Sequence, residues 1–140
     1  MKTSALTLAA LALVATAACN DTETTDASTS GCGKLATADP SAALPDGFPS
    51  VDGQVLYEPS TQGKTHIVFG LIKTSDFVKV RDDYVTKLKA AGWTIDGTDQ
   101  ESVEAEAQFS KPTPLITGTI KVQPVDTCKG YVTVRYKANL

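Results

Sequence analysis

The sequence predicts a two-layer α+β domain, in which a mostly antiparallel sheet of five to six strands packs against one helix. Two observations predict this fold class. Several short runs alternate apolar and polar residues, which is typical of strands with one face on a core and one face in water. Only one run has apolar residues at helical spacing. The predicted order is β-β-α-β-β-β, with room for a further strand after the helix.

The first two strands are predicted over residues 54–58 and 65–73, and the turn-forming residues 59–63 between them suggest a hairpin. The second of these strands is apolar on both faces, as expected of a strand that is covered on both sides. The segment 35–49 is one candidate to cover its second face. A partner protein or a ligand is the alternative.

One amphipathic helix is predicted next. Its apolar residues recur at intervals of three and four, namely Phe77, Val80, Tyr84, Val85, Leu88 and Ala91. Thr74 or Ser75 can cap the N-terminus, with Asp76 in the first turn, where the helix dipole favours a carboxylate. Gly92 is placed to end the helix.

An Asp96-Gly97 turn then leads to three alternating runs, each with its apolar residues on one face. The three apolar faces consist of Val103, Ala105, Ala107 and Phe109, of Ile116, Gly118, Ile120 and Val122, and of Val132, Val134 and Tyr136. The opposite faces are polar, so we expect one side of the sheet to be in contact with water.

The N-terminus predicts export. Lys2 supplies a positive charge, residues 5–15 form an apolar run too short to span a bilayer, and the small residues 16–18 precede Cys19. This pattern is typical of a cleaved secretory signal peptide. With a Cys at the cleavage point it resembles a bacterial lipoprotein signal. That resemblance implies that Cys19 carries the lipid, palmitate among its acyl chains, and anchors the protein to a membrane.

The cysteine count bears on this choice. Cleavage after Ala17, at the end of the Ala-x-Ala pattern of residues 15–17, would instead release a secreted soluble protein that keeps all three cysteines. An odd number leaves a free thiol in an exported protein, whereas lipidation of Cys19 leaves Cys32 and Cys128 as a pair. Disulfides persist outside the cytoplasm, so we expect Cys32 and Cys128 to form one.

Three parts of the chain are predicted: a signal peptide over 1–18, the lipidated Cys with a polar tether over 19–43, and one domain over 44–140. The tether has too little apolar surface to offset its ordering entropy. Without Lys2, twelve basic residues face sixteen acidic ones, a net charge of −4. Such an acidic chain predicts no nucleic-acid partner and no attraction to an anionic membrane, so the lipid alone would hold it there.

Few residues predict chemistry. Gly63-Lys64-Thr65 lacks the earlier glycine and the following helix of a phosphate-binding loop, so we expect no nucleotide. His66 is the single histidine, which leaves little for a metal site or a catalytic triad, and we expect it to have a packed or edge role. We expect Trp93 to pack onto the core rather than to stack on a ligand. No metal and no cofactor are predicted.

Glu104 and Glu106 lie two residues apart on the polar face and could act as an acid/base pair. Lys121, Arg135 and Lys137 are their expected neighbours across the strands. Opposite charges paired across a solvated sheet face are ordinary structure, and we favour that interpretation.

The chain also resembles, loosely and over residues 44–140, a broad group of small bacterial lipoproteins of uncharacterised function. The resemblance is carried by the Leu-Pro-x-Gly start at residues 44–47, the helix exit at residues 88–94 and the closing strand at residues 132–134. It implies a cell-envelope location and one compact sheet-and-helix domain, and it brings no catalytic residue.

We therefore expect a monomeric, lipid-anchored, non-catalytic binding or accessory module of the cell envelope, with another envelope protein as the candidate partner. Val68 and Tyr131 are the candidate binding surface. The alternative is a structural or stress-related surface lipoprotein without a dedicated partner. An envelope hydrolase is the third hypothesis.

Overall fold

The computed structural model describes residues 35–140, which form one six-stranded sheet and one helix. The elements are β1 (Val55–Gln62), β2 (Thr65–Ile72), α1 (Phe77–Ala90), β3 (Thr94–Gln100), β4 (Ala105–Pro112), β5 (Leu115–Pro124) and β6 (Val132–Asn139). The strands pair antiparallel in the order β1-β2-β6-β5-β4-β3. The helix packs on one face of β3, β4 and β5. The predicted two-layer α+β fold is confirmed.

Two strands run through residues that the sequence predicted to be turns, because β-bulges absorb the irregular residues. β1 continues to Gln62, and its pairing with β2 shifts at Glu58 and Pro59. Glu58 has a φ of 47°, in the left-handed region. β3 likewise passes through Asp96-Gly97, where its pairing with β4 shifts. β3 is thus the additional strand after the helix.

The N-cap of the helix lies one or two residues later than the predicted cap at Thr74 or Ser75. Asp76 is the N-cap, and its carboxylate accepts a hydrogen bond from the backbone N–H of Lys79 at 2.8 Å. Thr74 instead accepts a hydrogen bond from the Asp76 N–H at 3.2 Å. Gly92 follows the helix with a φ of 81°, the left-handed conformation that ends helices, as predicted.

The core lies between α1 and the face of the sheet that the helix covers. Val80, Tyr84 and Leu88 on the helix are buried against this face. Phe48, a half-buried residue from the segment before β1, packs against this core. Its ring centroid lies 5.1 to 6.5 Å from the rings of Tyr84, Trp93, Phe109 and Tyr136.

One polar cluster is buried in the core. The Tyr84 hydroxyl donates a hydrogen bond to Gln54 Oε1, and the Tyr136 hydroxyl contacts both that hydroxyl and Gln54 Oε1, the latter at 3.2 Å. These contacts satisfy hydroxyl groups that would be costly to bury alone. Burial raises the pKa of Tyr84 to about 12, and burial likewise raises the pKa of Tyr136.

The two ends of the sheet differ. Leu35, the first described residue, lies beside Leu71 and Cys128, and we call this the Leu35 end. The β1–β2 and β4–β5 turns and the last residues of β6 lie at the opposite end, which we call the Leu115 end. Between the two ends, the Asp39 N–H donates to the Leu56 carbonyl at 2.9 Å, on the free edge of β1.

The ordered contacts of the domain begin before the predicted boundary at Leu44. Leu35 and Ala36 line a small cavity with Leu71, on the face of β2 that the helix does not cover, whereas Ala42 and Leu44 pack against the core. The segment 35–49 therefore covers only one end of the second face of β2. Farther along that face, Ile67 and Phe69 are half-buried.

Candidate binding groove

An apolar groove of ≈ 560 Å³ opens at the Leu115 end of the sheet. Its apolar walls are formed by Leu44, Pro45, Pro114, Leu115, Ile116 and Leu140. Leu115 is 71% exposed and Leu140 is 47% exposed. Single exposed apolar residues are common on protein surfaces, but a cluster of them in a concave site is typical of a binding site.

The β4–β5 hairpin forms one wall of the groove. The alternation of side chains along β5 explains why Leu115 is exposed there. Pro112 pairs with Leu115 at the tip of the ladder, so Thr113 and Pro114 form the turn. Successive side chains point to opposite faces. Since Ile116 is directed into the core and is 6% exposed, its neighbour Leu115 is directed away from the core.

The segment from Ala43 to Asp46 forms the opposite wall, and neighbouring contacts hold it in place. The Phe48 N–H donates to the Pro45 carbonyl at 2.9 Å. Trp93 Nε1 donates to the Gly47 carbonyl at 3.1 Å. Gly47 has a φ of 73°, a conformation that favours glycine. These contacts, together with the burial of the Phe48 ring, preform the wall.

Three side chains give the groove its polar character: Asp46, His66 and Lys111. The Lys111 ammonium lies 5.1 Å from the centroid of the Trp93 ring, a cation–π geometry. Within residues 35–140, neither Asp46 nor Lys111 forms an ion pair. Both charges therefore remain open to a ligand.

The wall formed by residues 43–46 also carries unpaired backbone groups. In the described part of the chain, the N–H groups of Leu44 and Asp46 donate to no hydrogen-bond acceptor. Backbone donors that stay unpaired on burial are costly. A molecule that fills the groove beside them would have to offer them acceptors or leave them open to water.

Val68, which was predicted to form a binding surface together with Tyr131, is buried and is not available as a surface residue. It is 5% exposed and belongs to the core, because it pairs with Tyr136 and both side chains are directed to the covered face. Ile67 and Phe69 are the residues of β2 directed to the other face. Tyr131 is half-buried at the Leu35 end, so the structure does not bring it together with Val68 or with the groove.

His66 and Trp93, the two ring-bearing residues singled out in the sequence, lie in different surroundings. His66 is exposed, its Nδ1 lies 3.4 Å from Thr61 Oγ1, and it lines the groove. Trp93 is 3% exposed, and its ring lies 5.5 Å from that of Phe109. The packing role predicted for Trp93 is confirmed.

Glu104 and Glu106 form the predicted charge pairs across the sheet. Lys121 Nζ lies 2.8 Å from Glu104 Oε1 and 2.7 Å from Glu106 Oε1, and these contacts raise the pKa of Lys121. Gln123 Nε2 donates to the other Glu104 oxygen at 2.9 Å. Arg135 and Lys137, also expected beside these carboxylates, form no ion pairs within residues 35–140.

Of the three cysteines, only Cys128 lies within the described residues. It is 2% exposed and is in the disulfide-bonded form. Cys32, its predicted partner, and Cys19, the predicted lipidation site, lie outside the described residues. The identity of the disulfide partner and the lipidation of Cys19 therefore stay predictions.

Most of the groove was not predicted from the sequence. No binding role was predicted from the sequence for Leu115, Leu140 or Lys111. A local sequence signal could have identified Leu115. In Pro112-Thr113-Pro114-Leu115, a large apolar residue adjoins a turn and lies outside the alternating set that forms the core.

Within residues 35–140, no three His, Cys, Asp or Glu side chains come close enough to share a metal ion. The helix in this part of the chain lacks the length and apolar character needed to cross a bilayer. No family model, curated protein or solved structure matches the chain.

Proposed function

We propose that the chain is a lipid-anchored protein of the cell envelope, and that its domain is a non-catalytic binding module that uses the groove at the Leu115 end. The observation that carries this proposal is the exposure of Leu115 and Leu140 in one preformed apolar concavity. Folding alone gives no reason to gather such residues there, because their burial contributes to stability only when something covers them.

The dimensions and composition of the groove support a binding role. Its volume of ≈ 560 Å³ lies within the range typical of small-molecule and peptide sites. Such sites are largely apolar and have a few polar groups that fix the orientation of the ligand. Asp46, His66 and Lys111 are the groups of that kind here.

The position of the two glutamates favours a binding module over a hydrolase. Both carboxylates bind the same ammonium group, that of Lys121. Glu104 also accepts a hydrogen bond from Gln123 Nε2, so its two carboxylate oxygens are already engaged by groups of the domain itself. The pair lies on the solvated face of the sheet and is not among the residues that line the groove.

Site-specific photocross-linking in intact cells tests the proposal. A photoreactive amino acid at position 115 should capture a discrete, reproducible species. The matched control is position 103, because Val103 is also an exposed apolar residue, at 59%, and lies at the Leu35 end. Capture from position 115 and not from position 103 would support the groove as the site. Equal capture from both positions, or none from either, would contradict it.

The lipid anchor has its own test, the intact mass of the mature protein. A chain that begins at Cys19 and carries the mass of acyl chains is the expected result. An unmodified chain that begins at Ala18 would contradict the anchor and would leave a secreted protein. The groove and its test would be unaffected.

A further inference from the structure

We infer that the groove binds an extended apolar segment of a second protein and not an acyl chain. This inference rests on the proposed function and names the chemical class of its ligand. It follows from three features of the groove: unpaired backbone donors, rim charges of both signs, and its position relative to the start of the described chain.

The backbone donors favour a peptide. Leu44 and Asp46 present N–H groups without acceptors on a wall that lines the groove. An acyl chain seated against these groups would offer them no acceptor, and the cost of leaving them unpaired would offset the benefit of burying the leucines. An extended peptide carries a carbonyl at every residue and can accept from both groups, as when a peptide aligns along an exposed strand edge.

The rim charges point the same way. Asp46 and Lys111 have opposite charges and no ion-pair partners within residues 35–140. Lys111 lies above the Trp93 ring, so its ammonium is held near the groove. A peptide segment can carry an acidic residue that pairs with Lys111 and a basic residue that pairs with Asp46. A fatty acyl chain has at most one charged end.

The position of the groove places the partner away from the anchor. The described chain begins at the Leu35 end, and the groove lies at the far end of β2, which has eight residues and therefore spans about 25 Å. Thirteen residue steps separate Cys19 from Cys32, which the predicted disulfide would hold to Cys128 at the Leu35 end, so a fully extended tether would reach roughly 45 Å. The predicted tether would thus join the domain at the end opposite the groove, and this arrangement would leave the groove accessible to proteins within that reach.

Binding of defined probes to the isotopically labelled mature protein tests the inference by NMR. The peptide probe is a pool of blocked hexapeptides with Leu, Ile or Phe at the central positions and Glu or Gln at the flanks. The acyl probe is dodecanoate. The peptides should produce saturable shifts at the Leu44 and Asp46 amides and slow the hydrogen exchange of those amides.

Variants locate the site. Leu115→Ser should weaken peptide binding about tenfold or more, and Val103→Ser should leave it unchanged. Lys111→Gln should remove the preference for Glu-flanked over Gln-flanked peptides, which we expect to be several-fold. Amide spectra of each variant without ligand show whether the fold is retained.

Two outcomes would overturn the inference. One is saturable binding of dodecanoate in the groove. The other is failure of the whole peptide pool to perturb the Leu44 and Asp46 amides. Either result would leave the proposed function standing if photocross-linking from position 115 still captured a discrete species, so the two failures are distinguishable.

Discussion

The segment before β1 contacts the rest of the domain at two sites, and the two sites differ in how closely side chains pack around it. Phe48 packs among four aromatic rings of the core. Four residues earlier, Leu44 forms the wall of a groove whose opposite wall exposes Leu115. Within residues 35–140 the aromatic core is filled, whereas the groove is open. This difference is the basis of our proposal that the groove, unlike the core, serves binding.

The largest expected effect on stability comes from a substitution at Gly118, which packs closely against the aromatic core. A Cβ at this position would overlap the Lys137 carbonyl oxygen and lie 2.5 Å from Phe109 Cζ. Gly118→Ala should therefore abolish cooperative unfolding or prevent folding, as circular dichroism during urea unfolding would reveal. Gly97→Ala is the control, because a Cβ there meets nothing closer than 3.8 Å. Equal stability of the two variants would contradict the packing described here.

Removal of the Phe48 ring tests the same region less severely. Phe48→Ala should lower the free energy of unfolding by about 3 kcal/mol, because a large aromatic side chain leaves a packed core. Phe69→Ala is the matched variant, since Phe69 is also half-buried but has one ring neighbour among residues 35–140, Tyr57, at 5.8 Å. We expect it to cost clearly less. A reversed order would mean that the uncovered face contributes more to folding than the core does.

The buried tyrosine cluster predicts an alkaline limit to stability. The pKa of Tyr84 is raised to about 12 in the folded protein, above its ordinary value of 10. The folded state therefore holds this proton more tightly than the unfolded state. The contribution of this tyrosine to the free energy of unfolding is fully present below pH 10 and is lost as the pH rises from 10 to 12. Urea unfolding at several pH values measures this decline.

Replacing the hydroxyls should flatten that decline. Tyr84→Phe should cost about 1 kcal/mol at neutral pH, the usual net value of one buried hydrogen bond. Combined with Tyr136→Phe, it should remove most of the loss between pH 10 and 12. Tyr131→Phe is the control at the Leu35 end. An unchanged alkaline decline in the double variant would contradict the role assigned to this cluster.

The smallest effect on stability is expected in the open region. Leu115→Ser should change the free energy of unfolding by less than about 0.5 kcal/mol, because the side chain is 71% exposed. Thermal unfolding of the variant and the parent protein measures this difference. A loss near that of Phe48→Ala would mean that Leu115 belongs to the core and is not kept for a partner.

The parts of the fold that were predicted are those in which local pattern and tertiary packing agree. Alternation placed Ile120, Val122 and Val134 in the core, and helical spacing placed Tyr84 and Leu88 against them. The turn expected at Asp96-Gly97 was wrong, because turn-forming residues also suit a bulge and only pairing with β4 decides between them.

The site was predicted less well, for a physical reason. Val68 was selected because both faces of its strand are apolar, and periodicity alone does not tell which face the helix covers. The groove depends on three parts of the chain that are distant in sequence: residues 43–46, the β4–β5 turn and Leu140. Their proximity follows from the strand order, which no local pattern encodes.

The measurement that tests the central claim most directly compares chemical cross-linking in intact cells for the parent protein, Leu115→Ser and Val103→Ser, each with the same affinity tag. The three proteins should unfold at the same urea concentration. We predict that Leu115→Ser loses the cross-linked complex and that Val103→Ser retains it. An undiminished complex with Leu115→Ser would contradict the assignment of the groove as the binding site.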